Sequence, residues 1–155
     1  MKSTRNQPCS DAPEGTVWCG GPVDCSKVSL RVLGDGIDLI EISQLLGHPN
    51  DSKKRKGWGL SAPISSAGDI DGQIQWILAR LTNDLTIWKS LSDRYSVDFF
   101  CGLFLDQPNR GASLSPATLA AVGERGATIG FDIYAPEIEQ EVEQAEDGDP
   151  SQRPC

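Results

Sequence analysis

Four segments of the chain have the hydrophobic pattern of β-strands. Residues 28–33 and 129–134 alternate apolar and polar side chains, as a strand with one buried face does. Residues 99–105 are apolar at both odd and even positions, which is typical of a central strand buried on both faces. The short stretch at 58–61 is followed by Pro63, which limits its length. We therefore predict a sheet of four strands.

Three further segments have the spacing of amphipathic helices. The first begins after Asp38, an N-cap residue, and ends at Gly47, which suits a left-handed C-cap. The third begins after Ser115, with Pro116 at its first helical position. The second is predicted to run over about residues 69–95. Its apolar stripe comprises Ile70, Ile74, Ile77, Leu78, Leu81, Leu85, Trp88 and Tyr95.

The predicted order of elements is β-α-β-α-β-α-β. Strand–helix–strand connections favour right-handed crossovers and parallel pairs of strands. Because four strands are few for a doubly wound fold, we expect an α+β or small α/β protein. The expected architecture is a two-layer sandwich, with a four-stranded mixed sheet and three helices. A ferredoxin-like arrangement is the nearest named alternative.

Composition divides the chain into three parts. Residues 1–27 contain three prolines and a Gly-Gly pair with little periodicity, which predicts a flexible leader. Residues 28–135 are predicted to form a single globular domain. Residues 136–155 hold seven of the 22 acidic residues and only two bulky aliphatic ones. Such a segment buries too little apolar surface to offset its ordering entropy, so we expect an acidic disordered tail.

The formal net charge of −8 at pH 7 narrows the class of partner. Acidity of this size makes nucleic acid an unlikely ligand and would steer a basic protein toward the chain. No apolar run has the length of a membrane span, and residues 1–15 lack the apolar core of a signal peptide. Five cysteines without a C-x-x-C pair match no common zinc spacing. We expect a cytoplasmic protein with no membrane attachment and no metal or other cofactor.

Several short segments occur in the order found in a known family. They read VSLRVLGD at 28–35, KGWGL at 56–60, DFFCGLFLD at 98–106, LSP at 114–116 and GFDIY at 130–134. On these segments, residues 28–135 resemble the uncharacterised bacterial domain of unknown function family 4279. The resemblance implies bacterial origin and a single domain, and it implies no activity.

Carboxylates in and beside the strands are the candidate ligand-binding residues. Asp132 lies inside the last predicted strand beside Tyr134, and Asp98 and Asp106 bracket the central strand. Ionised Asp is depleted in strands because its desolvation is costly without a partner. One interpretation gathers these groups with Asp35 into an acidic cleft for a cation or basic ligand. The other makes each carboxylate a cap that accepts hydrogen bonds from backbone N–H groups.

The long predicted helix has a second face outside its apolar stripe. Trp76 and Ile87 are eleven residues apart on this face, near Arg80 and Arg94. Trp and Arg are enriched at binding hot spots, so these four residues are a candidate surface for a partner or for self-association. Alternatively, the leader or the loop at 107–114 covers them.

The sequence favours a protein without enzymatic activity. Cys101 lies in mid-strand, where Cys is usually a small buried hydrophobe, and His48, at a predicted helix end, is the only possible imidazole base. No catalytic residue is therefore assigned. We expect a protein-binding module, such as an immunity or antitoxin-like partner of a basic protein. The alternative is a small-ligand sensor or an enzyme with an acidic cleft around Asp132.

Overall fold

The computed structural model describes residues 20–53, 56–65 and 68–135. In chain order the elements are β1 (Cys25–Leu33), α1 (Leu39–Leu46), β2 (Gly57–Ser61), α2 (Ile70–Leu78), α3 (Leu85–Arg94), β3 (Ser96–Phe104), α4 (Pro116–Glu124) and β4 (Thr128–Tyr134). The α+β class and the four strands are confirmed. Most of the predicted leader and all of the predicted acidic tail, 136–155, lie outside the described residues. No helix in the described part of the chain is long and apolar enough to cross a membrane.

The sheet is mixed, with strand order β2-β1-β3-β4. β1 is antiparallel to both β2 and β3, and only β3 and β4 are parallel. The crossover expected from the strand–helix–strand order therefore occurs once, through α4. A helix between two strands permits a crossover but does not require one. After α1 the chain runs back beside β1 as the antiparallel strand β2.

The two faces of the sheet have different surroundings. One face joins the helices in a single hydrophobic core, which includes Val28, Leu30, Val32, Trp58, Val97, Phe99, Cys101 and Leu103 from the strands and Ile42, Leu46, Ile74, Ile77, Trp88, Leu91 and Val122 from the helices. Alternation and strand register assign the other side chains to the opposite face, which we call the open face. Its central part carries Lys27, Ser29, Arg31, Asp98, Phe100, Gly102, Phe104, Gly130, Asp132 and Tyr134.

Local capping chemistry sets the helix ends as predicted. The Asp38 side chain accepts hydrogen bonds from two backbone N–H groups of α1, and Gly47 ends that helix at φ 75°. The Ser115 hydroxyl accepts a hydrogen bond of 3.2 Å from the Thr118 N–H at the start of α4. These bonds span four residues or fewer, so the sequence alone is enough to predict them.

The single helix predicted over 69–95 is wrong, because the structure divides it into α2 and α3. Asp84 caps α3, and its carboxylate accepts a hydrogen bond of 2.9 Å from the Thr86 N–H. The Thr82 N–H donates to the Leu46 carbonyl instead of continuing α2. Leu85 is 42% exposed and lies outside the core to which the apolar stripe assigned it. The Thr-Asn-Asp run at 82–84 was the signal for this break.

The first strand begins at Cys25, three residues before the predicted start at Val28. Val23 is only 2% exposed, and Ser26 is fully buried. Ser26 is tolerated in the core because its hydroxyl donates to the Gln73 side-chain oxygen at 2.5 Å. The residues just before Val28 show no regular alternation of apolar and polar side chains, so the sequence pattern did not predict that they belong to the first strand or to the core.

Candidate functional site

One end of the open face holds an arginine between a carboxylate and a ring. Arg31 on β1 donates from Nε and Nη2 to the two Asp98 carboxylate oxygens, at 2.8 and 2.5 Å. The guanidinium carbon lies 4.5 Å from the centre of the Phe100 ring. The hydrogen bond to Asp98 raises the pKa of Arg31 above its usual value. We call these three residues the filled cluster.

The other end holds a carboxylate and two rings. The Phe104 and Tyr134 rings are stacked, with centroids 4.7 Å apart and planes 7° from parallel. The Tyr134 hydroxyl donates to an Asp132 carboxylate oxygen at 2.6 Å, which raises the pKa of Tyr134. The parallel register places Phe104 beside Tyr134 and Gly102 beside Asp132. We call Phe104, Asp132 and Tyr134 the vacant cluster, because no Lys or Arg in the described ranges forms an ion pair with Asp132.

Two glycines lie on the sheet between the two clusters, and they differ in the space above them. Gly130 pairs with Phe100, and Gly102 pairs with both Lys27 and Asp132. A Cβ atom at Gly130 would meet no atom within 4 Å, so the space above that position is open. Gly102, by contrast, is buried, and a Cβ atom there would lie 3.5 Å from the Phe104 ring. A side chain from another molecule can therefore reach the sheet at Gly130, beside that ring.

The structure brings together three of the four predicted ligand-binding residues. Asp98, Asp132 and Tyr134 share the open face. Asp106 lies just beyond β3, where its N–H donates to the Asp24 carboxylate at 2.8 Å. Asp35 lies in the turn after β1, at the opposite end of the sheet from Tyr134.

Among the described residues, these carboxylates are not gathered into one acidic cleft, because Asp35 lies at the opposite end of the sheet from Tyr134. On the open face Lys27 and Arg31 balance Asp98 and Asp132, so the surface is aromatic with mixed charge. Shallow depressions lie at α1, along α3 and beside the start of α2, and Asp132 lines none of these. Within the described residues, no group of three or more His, Cys, Asp or Glu side chains is placed to hold a metal ion.

The four residues of the predicted partner surface are distributed over α2, the turn that follows it, and α3. The guanidinium carbon of Arg80 lies 3.4 Å from the centre of the Trp76 ring, and its Nη1 donates to the Trp76 carbonyl at 2.8 Å. On α3, Ile87 packs against the core, and Arg94 forms an ion pair with Glu41 at 2.9 Å. Their expected alignment along one helix depended on the uninterrupted helix that the structure replaces. Whether they bind a partner stays a prediction.

Cys101 lies in the core, as predicted, and is fully buried. Burial, with a smaller contribution from Asp98, raises the pKa of its thiol to about 11. At pH 7.5 we therefore expect Cys101 of the folded chain to react with a maleimide at least 100-fold more slowly than the half-buried Cys25. Mass spectrometry of peptides after timed labelling measures both rates. Comparable rates would contradict the burial of Cys101.

Sequence reasoning missed three members of these clusters, which are Arg31, Phe100 and Phe104. Phe104 was assigned to a strand buried on both faces, but its side chain is 40% exposed. Arg31 gave no signal, because its partner Asp98 is 67 residues away in the chain. Asp98 and Phe104 are an even number of residues apart, so alternation along the strand could have predicted that both lie on the same face. It could not have predicted which strands lie beside them.

Comparisons with known proteins identify a family and no activity. No curated protein and no solved structure matches the chain. One family matches residues 24–136, which include every strand and helix of the described structure. The chain therefore belongs to the family described as Domain of unknown function (DUF4279).

Proposed function

We propose that this domain is a protein-binding module whose open face accepts an arginine side chain from a basic partner protein. The observation that carries the proposal is the likeness between the two clusters. In the filled cluster, a carboxylate and a ring hold Arg31. The vacant cluster offers a carboxylate and two stacked rings without a cation from the described residues.

The chemistry of the vacant cluster suits a guanidinium group. A planar cation stacks on an aromatic face while its N–H groups donate to a carboxylate, and the two contacts reinforce each other. The Tyr134 hydroxyl donates to one Asp132 oxygen, Oδ2, and no residue in the described ranges donates to Oδ1. Tyr134 thus orients the carboxylate beside the rings.

The charge of the whole chain supports a basic partner. A net charge of −8 attracts a basic protein over long range and speeds its association. We extend the proposal to an immunity or antitoxin-like role in the bacterial cytoplasm, where recognition of a partner by surface contacts needs no catalytic group. Asp132 is exposed and lines none of the depressions at α1, along α3 and beside the start of α2, and an exposed carboxylate of this kind supports recognition of a protein surface more than an enzyme or small-ligand sensor.

Titration with a short peptide tests the site directly. The probe is a twelve-residue peptide of Gly-Ser-Arg repeats, and ¹⁵N-labelled full-length protein reports binding through its amide shifts. We expect the largest shifts at Gly102, Gly130 and Asp132, and a Kd that rises with ionic strength. Asp132→Asn and Tyr134→Leu should each weaken binding about three- to tenfold, because each removes one contact to the guanidinium.

Asp35→Asn is the matched control, because it makes the same change of charge at the opposite end of the sheet. It should leave the Kd within a factor of two. Equal weakening by Asp35→Asn and Asp132→Asn would mean that net charge alone attracts the peptide and would refute the site. Free arginine that binds as tightly as the peptide would assign the site to a small ligand instead.

A further inference from the structure

The outer edge of β4 combines unpaired backbone with exposed apolar side chains. Among residues 20–53, 56–65 and 68–135, β4 pairs only with β3. Phe131 and Ile133 are 51% and 61% exposed, although they lie on the same sheet face as the buried Cys101 and Leu103. Within the described residues, the helical layer covers Ile129 but leaves Phe131 and Ile133 exposed, so β4 combines an unpaired edge with exposed apolar side chains.

The opposite edge of the sheet is protected in a way that β4 is not. At β2, the Gly59 carbonyl accepts from the Asp51 N–H at 2.8 Å, and the Gly59 N–H donates to the Asn50 side chain at 2.9 Å. Natural edge strands are usually blocked by such loops, by bulges, by proline or by lysine. β4 has an unbroken seven-residue register with β3 and contains neither proline nor lysine. Its edge is thus suited to pairing with another strand.

The backbone of β4 shows which residues face outward. The Tyr134 carbonyl accepts from the Leu105 N–H at 2.9 Å, so Tyr134 directs its backbone groups toward β3. Because these directions alternate along a strand, Ile129, Phe131 and Ile133 direct their N–H and C=O groups to the free edge. They supply three donors and three acceptors in one row.

We propose that two copies of this chain pair through β4, antiparallel about a twofold axis at Phe131, to form one eight-stranded sheet. In this register Phe131 lies opposite its symmetry mate, and Ile129 lies opposite Ile133. Every outward backbone group then has a partner, and the exposed apolar side chains meet on the helical side. A twofold pairing of this kind is closed, because it uses the β4 edges of both copies and leaves no β4 edge for a third copy.

Charge favours this register over the one whose twofold axis lies at the next residue, Asp132. An axis at Asp132 would place the two Asp132 carboxylates directly opposite each other, which like charges disfavour. With the axis at Phe131, Asp132 lies opposite Gly130, and Tyr134 lies opposite Thr128. Asp132 is the only charged residue of β4, so no like charges face each other. The vacant cluster of each copy stays on the open face.

The expected dimer is of moderate affinity. Two seven-residue edges with these side chains bury roughly 1,000 Å² in total, near the low end of specific interfaces. We therefore expect a Kd of about 1–100 µM. Each copy carries a net charge of −8, so added salt should tighten the dimer by screening repulsion. Arginine binding at the vacant cluster should weaken with salt, so the failure of one proposal is distinguishable from the failure of the other.

Sedimentation velocity of the full-length chain from 1 to 200 µM measures the association. We expect a monomer–dimer equilibrium that Phe131→Lys weakens at least tenfold. Ile64→Lys is the matched control, because Ile64 is 67% exposed and lies between β2 and α2. It should leave the equilibrium unchanged, and thermal unfolding should confirm that both variants fold.

Cysteine cross-linking tests the register. In a background with Cys9, Cys19, Cys25 and Cys155 changed to Ser, Phe131→Cys should form a disulfide-linked dimer, because its symmetry mate lies directly opposite. Asp132→Cys should not. Cross-linking through Asp132→Cys alone, or loss of the dimer in Ile64→Lys, would overturn the proposal.

A full-length chain that stays monomeric at 200 µM would also overturn the proposal. If that monomer dimerises after removal of residues 136–155, the edge is occupied by the chain's own C-terminal segment. If it does not, the edge belongs to a different protein or to none.

Discussion

Replacement of Trp88 by Ala is expected to lower the free energy of unfolding by about 3–5 kcal/mol. Trp88 is fully buried in α3, and its indole N–H donates to the Thr82 carbonyl at 2.8 Å. The substitution removes a large ring from a closely packed core and leaves that carbonyl without its partner. The Arg125 guanidinium, whose carbon lies 5.6 Å from the ring centre, loses an aromatic neighbour as well. Urea denaturation followed by circular dichroism measures the change.

Trp76→Ala is the control, because it removes the same side chain from a half-buried position. Trp76 packs at the margin of the core beneath Arg80. We expect this variant to lose about 1 kcal/mol. If Trp88→Ala lost no more than Trp76→Ala, the ring of Trp88 would not be a core element, and the packing of α3 against the sheet would have to be revised.

A chain that begins at Lys27 is expected to be about 3–5 kcal/mol less stable than one that begins at Gly20. The longer chain keeps Val23, which is 2% exposed, in the core. It also keeps Ser26, whose hydroxyl donates to Gln73 at 2.5 Å and whose carbonyl accepts from Gln73 at 3.1 Å. Without Ser26 the buried Gln73 amide loses two of its hydrogen bonds.

Comparison of three chains by urea denaturation separates these contributions. The full-length chain and the chain from Gly20 should have free energies of unfolding within about 1 kcal/mol of each other, as expected for removal of segments outside the domain. The chain from Lys27 should unfold at a clearly lower urea concentration. Equal urea midpoints of unfolding for all three chains would show that Val23 and Ser26 contribute no stability. That result would support the predicted domain start at residue 28.

The boundaries of the elements followed from short-range chemistry. Asp38, Gly47 and Ser115 act on backbone groups within four residues, so the sequence contains all the information needed to predict these helix ends. The Thr-Asn-Asp run at 82–84 carried information of the same kind, but a continuous apolar period outweighed it in the prediction. Period alone does not distinguish one long helix from two short helices that pack against the same core.

Burial was predictable wherever one side of an element faces the helices. Val28, Leu30 and Val32 alternate because a strand turns successive side chains to opposite faces, and the core-facing side must be apolar. The family resemblance was equally available from the sequence, and residues 24–136 confirm it. Ser26 and Gln73 were not predictable as core residues, because Ser26 is tolerated through hydrogen bonds to Gln73, 47 residues away, and Gln73 through bonds to Ser26 and to the Pro63 carbonyl.

The candidate site, by contrast, exists only through the tertiary arrangement. The sequence determined that Asp98, Phe104, Asp132 and Tyr134 lie in or beside strands, but not which strands are neighbours. Pairing of β3 with β4 in parallel sets Phe104 against Tyr134, and pairing with β1 sets Arg31 against Asp98. A shift of either register by one residue would send these side chains to the opposite face. Register depends on contacts between distant segments, so the structure alone decided which carboxylate has its arginine and which does not.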